Sequence, residues 1–134
     1  MTPSESVYGR IAVLAAKKAA VGLDARAAWE TTAAALAQSP TVANKSCPKG
    51  AFLGLIYAGE VAGVPGDSSK ISGVNGGHAC AAVGLLRGTS LLGTDPAAVW
   101  QAVMKLEGTQ KKHNSQMHVV LALWNERMFV GQSA

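Results

Sequence analysis

The sequence predicts an all-α fold, a compact bundle of about six helices forming one domain, arranged as two pseudo-symmetric three-helix units. Three observations predict it. Apolar side chains at the start of the chain recur at spacings of three, four and seven. Much of the 49% hydrophobic content is alanine, the strongest helix former. Asp, Pro and Gly fall where helices conventionally start and stop. At 134 residues the chain is long enough to enclose a single core.

The first helical pattern begins near Ser4, and Val7, Ile11, Leu14 and Val21 mark its expected apolar stripe. Lys17 and Lys18 fall off that stripe near the C-terminal end, where cations complement the helix dipole. Gly22 is the expected stop, because glycine adopts the left-handed conformation without steric cost. Asp24 then caps a second helix by accepting from otherwise unpaired amides, with Ala25, Ala28, Trp29, Thr32 and Leu36 on its buried side. Ser39-Pro40 closes that helix, since the residue before proline disfavours helical geometry.

A polar loop leads to a third helix at Ser46-Cys47-Pro48, with Pro48 in the first turn. Its run of Phe52, Leu53, Leu55, Ile56 and Tyr57 has almost no polar face, so it belongs at the centre of its unit. Gly59 is the expected terminator, and 61–64 an extended stretch. The Gly- and Ser-rich segment 63–77 reads as a linker. A fourth helix over about 77–87 buries Val83 and Leu86. Asp95-Pro96 opens a fifth, anchored by Trp100, Val103 and Met104. Asn114-Ser115 opens a sixth, carrying Met117, Val119, Val120, Leu121, Leu123 and Trp124.

The two halves, at about 4–62 and 78–131, correspond. Val21-Gly22-Leu23-Asp24 before Trp29 matches Leu92-Gly93-Thr94-Asp95 before Trp100, with the same spacing from Asp to Trp. Lys45-Ser46-Cys47-Pro48 before Phe52-Leu53 and Ile56-Tyr57 matches Lys112-His113-Asn114-Ser115 before Val119-Val120 and Leu123-Trp124. Neither unit is large enough to bury its central helix alone, so the two are expected to pack around a pseudo-twofold axis, closing over Phe52, Tyr57, Val120 and Trp124.

Two segments also carry a resemblance: Cys47-Pro48-Lys49-Gly50-Ala51-Phe52-Leu53-Gly54-Leu55, and the run Lys111-Lys112-His113-Asn114-Ser115-Gln116-Met117-His118-Val119-Val120-Leu121-Ala122-Leu123-Trp124. They resemble a family of small uncharacterised bacterial proteins, similar from the first helix to the end. The resemblance implies a bacterial origin and a cytosolic setting. It supplies no activity, so no catalytic residue is carried over.

No apolar run approaches the roughly 18–20 residues of a membrane-spanning helix, and the start lacks a secretion-signal pattern. Cys47 and Cys80 make neither a disulfide framework nor a metal spacing, which fits a cytoplasmic, reduced protein. Net charge is +4, which permits an anionic partner without demanding one.

The polar residues that stand out are Lys45, Ser46, Cys47 and Lys49 at the third helix start, and Lys111, Lys112, His113, Asn114, Ser115 and Gln116 at the sixth. Helix starts offer free amides and partial positive charge, which lysines reinforce toward an anion. The plainer reading is capping by Ser46 or Asn114 beside solvated lysines. Cys47 is the candidate nucleophile, with His78 or His113 as its base. His113 and His118 are five apart, off the i, i+4 spacing of metal-binding helices, so no metal site is expected. Gly73-Val74-Asn75-Gly76-Gly77 lacks the Lys-Ser/Thr of a phosphate loop, and no cofactor is expected. The apolar third helices argue against sequence-specific DNA recognition.

Three functions follow in order: a non-enzymatic module that binds a protein partner or itself; a binder of a small anionic ligand or nucleic acid; and a cysteine-dependent enzyme.

Overall fold

The computed structural model describes residues 3–70, 73–88 and 95–132. Among them the fold is all-α, with six helices of ten residues or more and one of four. After a 3-10 turn at Pro3–Glu5 come α1 (Val7–Ala20), α2 (Ala25–Leu36), the four-residue α3 (Pro40–Ala43) and α4 (Ser46–Tyr57). The second half contributes α5 (Gly73–Gly88), α6 (Pro96–Glu107) and α7 (Gln116–Asn125).

Local chemistry sets most of these boundaries. The Ser6 hydroxyl accepts from Gly9 N at 3.0 Å to cap α1, and Gly22, at φ 109°, turns the chain after it. Asp24 accepts from Ala27 N at 3.1 Å, and Asp95 from Ala97 N at 3.0 Å, as their positions before α2 and α6 predict. Ser39 does more than end α2: its hydroxyl accepts from Val42 N at 3.2 Å and caps α3 inside the expected polar loop.

The apolar helices α4 and α7 pack together at the centre. Ala51 through Ile56 are all buried, as are Gln116, Met117 and every residue from Val119 to Leu123. Phe52 and Val120 are fully enclosed, whereas Tyr57 and Trp124 are half-buried at the margin. Around this pair the halves interlock: α1 packs on α2 and on α7, while α5 packs on α6 and on α4. The α1 contact is close. A Cβ on Gly9 would lie 1.9 Å from the Pro3 carbonyl oxygen and 3.0 Å from Ala122 Cβ.

That closeness corrects the expected stripe of α1. Its buried face is Gly9, Ile11, Ala12, Ala15, Ala16 and Ala19, and Leu14 and Val21 are 41% and 86% exposed. Small side chains let the helices approach, so the alanines take the core and the larger residues are displaced outward. The expected linker is also shorter than 63–77. Residues 73–77 form the first turns of α5, where buried Gly76 and the small Gly50, whose added Cβ would come 3.1 Å from Asn75 Cβ, bring α5 against α4.

The chain leaves α4 and α7 by the same path. Ala58, Gly59 and Glu60 donate to Gly54, Ile56 and Leu55; Glu126, Arg127 and Met128 donate to Ala122, Trp124 and Leu123. Gly59 and Arg127 both have positive φ (77° and 57°), as do Gly63 and Gly131 (81° and 87°). Between them Val61 and Phe129 form an antiparallel bridge, with Ala62 N donating to Met128 O and Val130 N to Glu60 O, both at 2.8 Å. Arg87 ties this bridge to α5 through Glu60 Oε2 and Val130 O, both at 2.9 Å. Matched positions in these two exits lie 68 apart: Gly59 with Arg127, Val61 with Phe129, Gly63 with Gly131. Leu92, Gly93 and Thr94, the other arm of the sequence correspondence, lie outside the described residues.

Candidate functional site

The two basic helix starts are built differently. At α4, Lys45 occupies the capping position without a side-chain cap bond, and its ammonium lies 5.8 Å over the Tyr8 ring. Ser46 is the first helical residue and does not cap, and Cys47 is half-buried behind it. Lys49 Nζ is 2.6 Å from Glu30 Oε2, a pairing that holds the Glu30 carboxyl below its usual range. Ser46 and Lys49, with Arg26, Asn44, Gly50, Leu53 and Tyr57, line a cavity of about 280 Å³. Lys49 is therefore already neutralised at the rim.

At α7 the cap is a histidine. Ser115, at φ 71°, makes no side-chain cap bond, and Asn114 takes part through its backbone, donating to Gln116 Oε1 at 2.6 Å. Met117 N donates to His113 Nε2 at 3.1 Å, so the imidazole fills the role expected of Asn114. Buried Gln116 donates from Nε2 to Asn75 Oδ1 at 3.1 Å, tying the start of α7 to that of α5.

Trp100 lies between two histidines. Its ring meets His78 edge-on at 5.3 Å and His113 at 5.2 Å, and His113 stacks on His118 at 5.5 Å and 17°. His113 and His118 therefore meet despite their spacing, because His113 precedes the helix and folds back over its first turn. His118 is half-buried in this stack, and its Nδ1 is enclosed without a hydrogen-bond partner among the described residues.

His78 is buried, with Nδ1 against the Glu107 carboxylate and no hydrogen bond from Nε2 among the described residues. Burial, the neighbouring His118 and then Lys45 push the His113 pKa down to about 4, so its ring is neutral at pH 7. Burial also lowers that of His118.

Two backbone bonds fix the chain between α6 and α7. Trp100 Nε1 donates to Lys111 O at 2.9 Å, and Lys111 N donates to Met104 Sδ at 3.3 Å. Lys111 and His113, with Trp100, Gln101, Met104 and Gln110, line a cavity of about 470 Å³. It shares no lining residue with the cavity at α4, so the two starts open on separate spaces.

Neither histidine considered for Cys47 is hydrogen-bonded to it among the described residues: His113 binds the Met117 amide and His78 faces Glu107. Cys80, half-buried with Sγ 3.8 Å from Gly54 O, has its thiol pushed up by burial and then by Glu60. No group of three or more potential ligands that could hold a metal ion occurs among the described residues.

Sequence reasoning singled out Lys111 and His113 but missed Gln101, Gln110, Arg26 and the Glu107–His78 contact. Gln110 adjoins the basic run and was within reach of that signal. His78 and Glu107 are brought together only by tertiary packing.

A different surface feature lies between α1 and the end of α2. Arg10, Val13, Leu14, Leu36 and Glu126 line one cavity of about 260 Å³. Arg10 and Leu36 continue into a second of about 340 Å³ with Glu5, Ser6, Val7, Gln38 and Val42. The result is one apolar groove carrying charges of both signs. Arg10, Glu5 and Glu126 make no ion pair among the described residues.

Among the described residues, no helix is long and apolar enough to cross a membrane. No curated protein and no solved structure matches the chain. A family model matches residues 5–130, from the cap of α1 to beyond the Val61–Phe129 bridge, and the chain belongs to that family, the family of unknown function DUF6979.

Proposed function

We propose that this protein is a non-enzymatic interaction module that associates with a second copy of itself through the groove between α1 and α2. The observation that carries the reading is the groove's composition. Val7, Val13, Leu14, Leu36 and Val42 supply an apolar floor, and Arg10 shares the lining with Glu126 and with Glu5, none of the three ion-paired among the described residues. A twofold dimer brings one patch onto its own copy, so a self-complementary patch needs both signs. Leu14, 41% exposed on an otherwise alanine-faced helix, is the side chain with most to gain from such burial.

Sedimentation equilibrium over a concentration series tests the proposal. The wild-type chain is expected to approach twice its monomer mass. Leu14→Asp, which places a carboxylate in both halves of the interface, should weaken association by about a hundredfold or more. A wild-type chain that stays monomeric at high micromolar concentration, or a dimer indifferent to Leu14→Asp, overturns it.

The second reading, a small anion at the basic helix starts, draws less support at α4, where Glu30 already satisfies Lys49. A melting-temperature rise in inorganic phosphate that is lost in Lys49→Glu with Lys112→Glu would promote it over the first.

A further inference from the structure

We propose that the cavity between α6 and the chain entering α7 binds a small organic molecule bearing a carboxylate or phosphate group. The inference goes beyond self-association and shares no residue with the α1–α2 groove.

Charge is the first support. Lys111 lines the cavity, Lys112 follows it, and neither ammonium has an ion-pair partner among the described residues. Among the described residues, no carboxylate lines the space. Three further cavities each carry at least one: Glu126, Glu5, or Asp24 with Asp67. In the cavity at α4, Lys49 is paired with Glu30. Glu107, the nearby acid on α6, is turned to His78 and is not among the lining residues.

Donor placement is the second. Lys111 is held at both its carbonyl and its amide, by Trp100 and Met104, so its side chain departs from a fixed point. The His113 ring is held by Met117 N, which donates to Nε2. A neutral imidazole that accepts at Nε2 carries its proton on Nδ1, which leaves His113 an N–H donor. Gln101 and Gln110 add two amides. The His113 ring and the Lys111 backbone are held in place, so that part of the lining needs little reordering when a ligand arrives, which favours binding.

Shape is the third. About 470 Å³ is far more than a bare ion fills and falls within the usual range of small-molecule sites. Trp100 and Met104, 6% and 3% exposed, present only their edges to the space, so its size rather than a broad apolar wall is what suits an organic anion over the ion alone.

The test is calorimetric titration of the full chain with phenyl phosphate, benzoate and inorganic phosphate, followed in parallel by the indole N–H resonances. Saturable binding of phenyl phosphate or benzoate is expected, at least about tenfold tighter than inorganic phosphate because the ring fills space beside the edges of Trp100 and Met104 that the bare ion leaves empty. Whichever organic probe binds more tightly names the headgroup. Among the indoles, that of Trp100, bonded to Lys111 O, should shift most. Lys111→Gln, an exposed position that should leave the melting temperature unchanged, should weaken binding about tenfold or more, and Lys49→Gln should have no effect. Absence of saturation by either organic probe at millimolar concentration overturns the proposal, as does binding that survives Lys111→Gln intact. Because the Leu14→Asp variant retains this cavity, the same titration on it separates failure of this site from failure of the dimer.

Discussion

Trp29 and Trp100 stand at matching places, each five residues after a capping aspartate, and the protein uses them in opposite ways. Trp29 packs on Phe52 at 5.1 Å, and its Nε1 has no hydrogen-bond partner among the described residues. Trp100 packs on His78 and His113, and its Nε1 secures Lys111 O. One indole is core; the other organises a polar loop. The difference teaches that two tryptophans at the same spacing from a helix cap need not share chemistry, and here it is the one in the second half that lies beside lysines with no ion-pair partner among the described residues.

The largest effects should come from removing each ring. Trp29→Ala and Trp100→Ala should each cost about 3–5 kcal/mol in urea unfolding, since both side chains are buried. Only the second should also release the chain around 110–113, which amide hydrogen exchange would detect. Equal exchange in both variants would break the comparison.

Replacement by Phe sharpens it. Trp100→Phe takes the donor from Lys111 O and should cost about 1 kcal/mol more than Trp29→Phe, which removes an N–H that makes no bond. The reverse order in urea midpoints would contradict the assignment.

Acid should act on the second half first. His113 titrates near 6.5 when unfolded and at about 4 in the fold, so the unfolded chain takes up the proton more readily. Its stabilising contribution is therefore complete above pH 6.5, declines as pH falls below that value, and is gone below about 4. Protonation also turns the Nε2 acceptor that caps α7 into a donor. Melting temperature should fall across this interval, and His113→Gln should flatten the fall; an unchanged slope would place the acid sensitivity elsewhere. The smallest effect belongs to the first half's surface pair: Lys49→Ala should leave the melting temperature within error, because Glu30 is largely solvated.

Much of the helical plan was legible because caps and stops are local. Asp24, Asp95 and Gly22 act within a few residues of themselves, and their chemistry is written beside them. The buried face of α1 was not legible: Leu14 outranks alanine in hydrophobicity, and only the close approach at Gly9 gives the alanines the core. Residues 73–77 read as a loop because glycine is a poor helix former, yet α5 uses its smallness against α4. The stack of His113 on His118 depends on the left-handed turn at Ser115, a conformation that serine seldom signals. Lys111 and His113 were found by charge and position alone, while Gln101 and the contact of Glu107 with His78 arrive through helix packing that no short motif encodes.

Self-association through the α1–α2 groove is tested most directly by exchanging its charges. Arg10→Glu alone and Glu126→Arg alone should each shift sedimentation toward monomer, and the double variant should return to the dimer, because the opposite signs then meet again across the twofold. Singles that sediment like wild type, or a double variant no more dimeric than either single, would contradict the account.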